Sequence, residues 1–273
     1  MTLFYDRLIR YPMSESDRAL LRSATVLLAE FDMDTVFNDF KIDEIPALTP
    51  PYASLFVEFK LVDKLPCATH VISYDQPFFP EQAHEDAHWY LAINCYVDNR
   101  GMFTVEPVAT VFITLDSEGQ AIVGGNGQYA RVQVNREYFR RTNDVDDPEF
   151  PAQAHELARA CIEFTFYAIG LTHCKNVVMA EPTMSRAQQK KRDKHGKTRY
   201  YVLKITGKGH NAGERMDAKR HNALHWARGH FRTYDDSAPL FGFYTGTVWV
   251  TPHIRGRISE GVITKDYRVK GSK

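Results

Sequence analysis

The segment from Pro151 to about Gly170 constrains the chain more than any other. Read as a helix, it is apolar on most of its surface and needs cover on nearly every side. A bilayer could supply that cover. However, His155, Glu156, Arg159 and Glu163 lie within the apolar run that extends to Cys174. Those charges argue for a buried core helix over a membrane span. The cover is then expected from a sheet in the centre of the protein.

The rest of the chain can build that sheet. Ser54 to Leu61, Ala68 to Tyr74, Trp89 to Val97, Phe103 to Val105 and Ala109 to Leu115 are rich in β-branched and aromatic residues, as strands are. Asp116-Ser117-Glu118-Gly119 reads as a turn, and Gly124 to Gly127 as a flexible corner before a strand from Ala130 to Val134. Short connections make an antiparallel sheet the economical arrangement. Ahead of it, Ser14 or Ser16 can cap a helix running to about Phe31, with Leu20, Leu21, Ala24, Leu27, Leu28 and Phe31 as its buried stripe. A shorter amphipathic piece covers Thr35 to Phe40, and Ile45 to Pro51 is a stiff proline connector. Beyond the central helix come a short strand from His173 to Met179, a cationic loop from Thr183 to Thr198 and a strand from Arg199 to Thr206. A glycine-rich loop through Gly213 and a last strand, Val262 to Val269, follow. The expected class is α+β: an antiparallel sheet packed by a central apolar helix, with a basic, sheet-containing C-terminal region.

The formal net charge is zero, but the charges are not evenly spread. Residues 186–273 hold 20 of the 34 Lys and Arg and 7 of the 34 Asp and Glu, a net +13 that leaves −13 on residues 1–185. Such asymmetry suggests an anionic partner for the basic part. The other reading is that the two parts dock on each other, or on a second copy, and neutralise internally. The division falls into an acidic part, 1–180, and a basic part, 181–273, as two units or one continuous domain.

Cys67, Cys95, Cys161 and Cys174 form no CxxC or close pair, which fits a reducing compartment and thiols serving as small buried hydrophobes, although an even count permits disulfides. The N-terminus lacks the cationic head and apolar run of a signal peptide. A cytoplasmic protein with no membrane contact is expected.

The last part of the chain carries a set of motifs. These are His173-Cys174-Lys175-Asn176-Val177, a basic linker leading to Arg199-Tyr200-Tyr201-Val202-Leu203, Arg228-Gly229-His230-Phe231-Arg232, Val248-Trp249-Val250 and Lys265-Asp266-Tyr267. As a set they resemble those of a group of uncharacterised bacteriophage and prophage proteins. The resemblance begins at His173; residues 1–150 carry none of it. It implies a mobile genetic element acting inside a bacterial cell, and it assigns no active site.

Histidine, arginine, aromatic and glycine residues interleave most densely from His225 to Tyr234, with an echo from Gly246 to Gly256. If Arg228 to Tyr234 is a strand, its period of two puts Arg228, His230 and Arg232 on one face. The same rule groups Trp249 with Thr251 and His253. Pairing of the two strands across the loop from Asp235 to Thr245 is expected to join these into one face. Arginine forks grip phosphates, a tryptophan stacks on bases and histidine titrates near neutrality. Arg228, Arg232, Trp249 and Arg255 are therefore candidate nucleic-acid contacts, with Lys190, Lys191 and Arg192 of the cationic loop gripping phosphate by counterion release. The alternative is that the arginines form internal ion pairs and the histidines hold loops together. For metal-independent phosphodiester cleavage, His230 and His253 are the candidate acid and base, with an arginine for the developing charge.

Two metal patterns are weaker. His221 and His225 would share a face only if Met216 to Ala227 were helical. His84-Glu85-Asp86-Ala87-His88 matches H-E-x-x-H, but a strand follows almost at once and no third ligand is in sight. Gly207 to Gly213 lacks the GxxxxGK[ST] pattern of nucleotide hydrolysis. No metal and no cofactor are expected. The sequence points to a phage- or prophage-encoded nucleic-acid-binding protein, with nuclease activity as an open extension. The alternative is a non-catalytic protein-interaction factor, such as an inhibitor of a host defence system or a virion component. A host-protein partner and a homo-oligomer remain open.

Overall fold

A computed structural model describes residues 4–29, 42–61, 65–99, 102–103, 106–124, 129–138, 150–181, 200–205, 223–227, 229–240, 243, 245–250, 253–255 and 257–262. The fold is mixed α and β, with a large, mostly antiparallel sheet and few helices. Among the described residues the α-helices are α1 (Phe4–Leu8), α2 (Glu15–Ser23) and α3 (Phe150–Thr172). Among the described residues, no helix is long and apolar enough to cross a membrane.

The main sheet is built from β1 (Thr25–Leu28), β2 (Ser54–Lys60), β3 (Pro66–Tyr74), β4 (Trp89–Asn99), β5 (Met102–Phe103), β6 (Ala109–Leu115), β7 (Ala130–Val134), β8 (Val177–Ala180) and β9 (Tyr200–Ile205). The strand order is β7-β6-β4-β3-β2-β1-β9-β8, with β5 beside β4. Every pair is antiparallel except at β1, which runs parallel to both β2 and β9.

β1 corrects the expected long N-terminal helix. Ser14 Oγ accepts the Asp17 N–H at 3.1 Å and starts α2, but the chain turns extended at Ala24. Leu20, assigned to the buried stripe, is 37% exposed, whereas Val26 and Leu27 are fully buried. Val26 packs with α1 and α2 and Leu27 with α3, so the strand is covered on both faces. A doubly covered strand reads as an unbroken apolar run, which periodicity cannot separate from a buried helix.

The strand expected from His173 is also shorter: β8 begins only at Val177, and residues 173–176 form the turn that ends α3. The helix proposed for Thr35 to Phe40, the cationic loop and the strand beyond Val262 lie outside the described residues.

Two cores result, one on each face of the sheet. On one face α3 packs across β3, β4, β6 and β7, with Phe164 stacked on Phe59 at 4.3 Å between ring centroids. All four cysteines are buried and unbridged. Thr165 donates to the Cys161 carbonyl and pairs with the Thr69 hydroxyl, both at 2.7 Å, which satisfies the polar atoms buried there.

On the opposite face α1 and α2 cover Val26, Phe56, Ala68 and Tyr96. Glu58, reaching from β2, accepts the backbone N–H groups of Phe4 at 3.1 Å and Tyr5 at 2.6 Å. Arg7 forms an ion pair with Asp98. Together these contacts hold α1 to the sheet.

β9 belongs to the basic part of the chain, yet it lies inside the main sheet between β1 and β8. The acidic and basic parts therefore share one sheet. The rest of the basic part adds β10 (Ala223–Ala227), β11 (His230–Tyr234), β12 (Gly246–Val250), β13 (His253–Arg255) and β14 (Arg257–Val262). β11 and β12 form a two-stranded hairpin, and β13, β10 and β14 a three-stranded sheet.

Candidate nucleic-acid interface

The hairpin forms between the expected strands, but its register separates the residues differently from the sequence expectation. His230 lies opposite Val250, Phe231 opposite Trp249, Arg232 opposite Val248, Thr233 opposite Thr247 and Tyr234 opposite Gly246. Directly opposed residues of an antiparallel pair share a face. Trp249 thus sits with Phe231, on the other side from His230 and Arg232.

That inner face packs on α3. The Trp249 ring meets Tyr167 edge-on at 5.3 Å and Phe231 at 5.0 Å, and Phe231 meets Tyr167 at 5.6 Å. Gly170 of α3 makes room: a Cβ there would come within 2.6 Å of Ile45 Cγ2 and 3.3 Å of Phe231 Cζ. Trp249 is only 6% exposed. The expectation that it stacks on bases fails, because its ring is core.

The turn after α3 anchors the hairpin. Asn176 Nδ2 donates to the Trp249 carbonyl at 2.7 Å, and its Oδ1 accepts the Trp249 N–H at 2.8 Å. The side chain thereby completes the edge of β12 as a neighbouring strand would. The Lys175 N–H donates to the Thr247 carbonyl at 3.0 Å, and the Lys175 ammonium donates to the Thr245 carbonyl. Gly246 has a φ of 107°, and a Cβ there would strike Lys175 Cε at 2.4 Å. His173 Nε2 donates to the Thr49 carbonyl at 2.7 Å, tying the proline connector to the same turn. His173, Lys175, Asn176 and Trp249 of the sequence motifs are therefore scaffold.

The outer face of the hairpin carries His230 and Arg232, both exposed, and the half-buried Tyr234. The Arg232 guanidinium lies over the Tyr234 ring, 4.8 Å from its centroid. At the loop end, Asp235 Oδ1 accepts the N–H groups of Ser237 at 3.0 Å and Ala238 at 2.9 Å, and the Ser237 hydroxyl at 2.6 Å. These bonds hold its carboxyl below the ordinary value, the Ser237 hydroxyl most of all.

The second candidate strand breaks after Val250, so His253 is not on the hairpin. It lies on β13, where Ala227 faces His253 and His225 faces Arg255. With a period of two, the positions of His225, His253 and Arg255 fall on one face of β10–β13. β10 excludes, over residues 223–227, the helix that would bring His221 and His225 onto one face. His230 and His253 sit in different sheets. Arg228, Lys190, Lys191 and Arg192 lie outside the described residues.

Residues 84–88 form a turn, with the Ala87 N–H donating to the His84 carbonyl at 3.0 Å, and lack the helix a zinc-protease pattern requires. Among the described residues, no group of three or more His, Cys, Asp or Glu side chains is placed to hold a metal ion.

One polar pair went unnoticed in the sequence: Ser54 Oγ lies 2.8 Å from His70 Nε2. His70 is 1% exposed, and burial pushes its pKa down to about 4. That makes the ring a poor base at neutral pH, so the pair is structural.

Comparison with protein-family models, curated proteins and solved structures finds no match to this chain.

Proposed function

We propose that the protein is a phage- or prophage-encoded nucleic-acid-binding protein. It acts in the cytoplasm of the bacterial host and binds through its basic C-terminal region. The observation that carries this reading is the net +13 on residues 186–273, together with an exposed hairpin face bearing Arg232 and His230. A concentration of cations of this kind is the electrostatic footprint of a polyanion partner. Arg255, on β13, is a further candidate contact on this reading.

Binding should weaken steeply with salt and be lost in the Arg228→Ala/Arg232→Ala double variant. No binding of RNA or DNA at low salt removes the proposal. Nuclease activity is an extension with its own test: cleavage in EDTA by the wild type and not by His230→Ala.

The mirror-image −13 on residues 1–185 favours one other reading, a non-catalytic factor that docks on a host protein or a second copy. That reading gains if nucleic acid does not bind and the chain self-associates in a salt-sensitive way.

A further inference from the structure

We infer that the loop end of the β11–β12 hairpin binds unpaired nucleotides, with bases of a single-stranded nucleic acid stacking on the Arg232–Tyr234 pair and on Phe243. The inference rests on the nucleic-acid reading above and specifies its substrate class.

Tyr234 forms the last strand pair with Gly246 before the connecting loop, so Arg232, Tyr234 and the loop residue Phe243 all belong to the same end of the hairpin. Phe243 is 68% exposed, the highest value among the exposed large hydrophobic residues described. The Arg232 guanidinium lies over the ring of Tyr234. A planar guanidinium backed by an aromatic ring is a platform on which a base can stack.

The exposed rings decide between single and double strands. The charges at the loop end balance, with Arg232 and Lys175 against Asp235 and Asp236, all exposed. A duplex keeps its bases paired and their faces stacked inside, so it presents mainly phosphates, which exposed rings do not recognise. An unpaired base needs ring faces, which this end does supply. Phosphates flanking the stacked base can reach His230 and Arg232, which lie on the outward side with Phe231 turned inward between them.

Fluorescence anisotropy of the full chain tests the inference. The probes are labelled mixed-sequence oligonucleotides of about 12 nucleotides, as single-stranded RNA, single-stranded DNA and the two matching duplexes. Single strands should bind more tightly than duplexes. Tyr234→Leu and Phe243→Ala should each weaken single-strand binding about 10-fold and leave duplex binding unchanged. Tyr234→Phe, which keeps the ring, should bind like the wild type. Phe243 is exposed, so its variant remains informative if Tyr234→Leu proves unstable. Comparing the two single strands identifies the source: tighter RNA binding assigns a contact to the ribose hydroxyl, and equal binding assigns recognition to bases and phosphates alone. Duplexes bound as tightly as single strands, or ring-removing variants that bind like the wild type, overturn the inference and leave the nucleic-acid reading standing. Failure to bind any of the four probes at low salt overturns both.

Discussion

Glu58 and His70 lie on the same face of the main sheet, one on β2 and one on β3, and burial shifts them in opposite directions. Burial raises the Glu58 carboxyl from 4.5 to about 7; the Tyr5 and Phe4 N–H groups pull it down in part, and Asp6 adds to the rise. The native state thus holds the Glu58 proton more tightly than the unfolded chain does. Its contribution to stability is fully present below pH 4.5 and is lost as pH rises through 7. Burial lowers His70 from 6.5 to about 4. Its contribution is present above pH 6.5 and is lost as pH falls through 4. Each slope is about 1.4 kcal/mol per pH unit, and each full span is about 3 kcal/mol.

Between pH 4.5 and 6.5 the two slopes therefore oppose each other and nearly cancel. Removing either group should unmask the other. In Glu58→Gln, which keeps an oxygen to accept the Tyr5 N–H, unfolding free energy should climb relative to wild type by about 2 to 3 kcal/mol as pH rises across that window. In His70→Gln, which keeps an amide for Ser54, it should fall by a similar amount. Urea denaturation at several pH values, with unchanged m-values, measures both. Two variant profiles running parallel to that of the wild type would refute the reasoning, as would slopes of the reverse sign.

Trp249→Ala should cost about 3 to 5 kcal/mol, because the ring fills the contact among Phe231, Tyr167 and α3; thermal unfolding measures this. Equal stability would mean that the hairpin does not seat on α3 through this ring. All four cysteines should be inert to a thiol reagent in the native protein and react once it is denatured, because all four are buried. Burial raises Cys67 and Cys174, and the hydrogen bond with Cys161 raises Cys95. The bonds from Cys67 and Cys95 lower Cys161, which burial alone shields. Rapid reaction of any native thiol would contradict the core packing.

Much of the main sheet was legible because β2, β3, β4, β6 and β7 carry β-branched and aromatic residues between plain turn signals. Gly119, with φ at 79°, closes the turn its sequence announced. The parallel strand β1 was not legible: its neighbours β2 and β9 lie far from it in sequence, and no local pattern specifies a non-local pairing. The hairpin pairing was foreseeable and its faces were not. A strand has two faces one residue apart, so grouping Trp249 with His253 required knowing where the strand ends. It ends at Val250, and Phe231 decides the register because it is the residue that meets α3 alongside Trp249.

The placement of the motif residues separates holding the hairpin from using it. Asn176 holds β12 by the backbone of Trp249, its side chain supplying both the donor and the acceptor for that edge. Arg232 lies on the opposite strand and faces outward. Asn176→Ala leaves a backbone N–H and a carbonyl without partners and should cost about 2 to 4 kcal/mol of stability. On the proposed function, any effect on nucleic-acid binding should follow from a displaced hairpin, so the salt dependence of the remaining binding should stay unchanged. Arg232→Ala should leave the unfolding midpoint nearly intact and reduce the salt slope by about 1, as expected for one lost phosphate contact. If Asn176→Ala instead flattened the salt slope while stability held, the side chain would be a contact, and the division between anchoring turn and contacting face would be wrong.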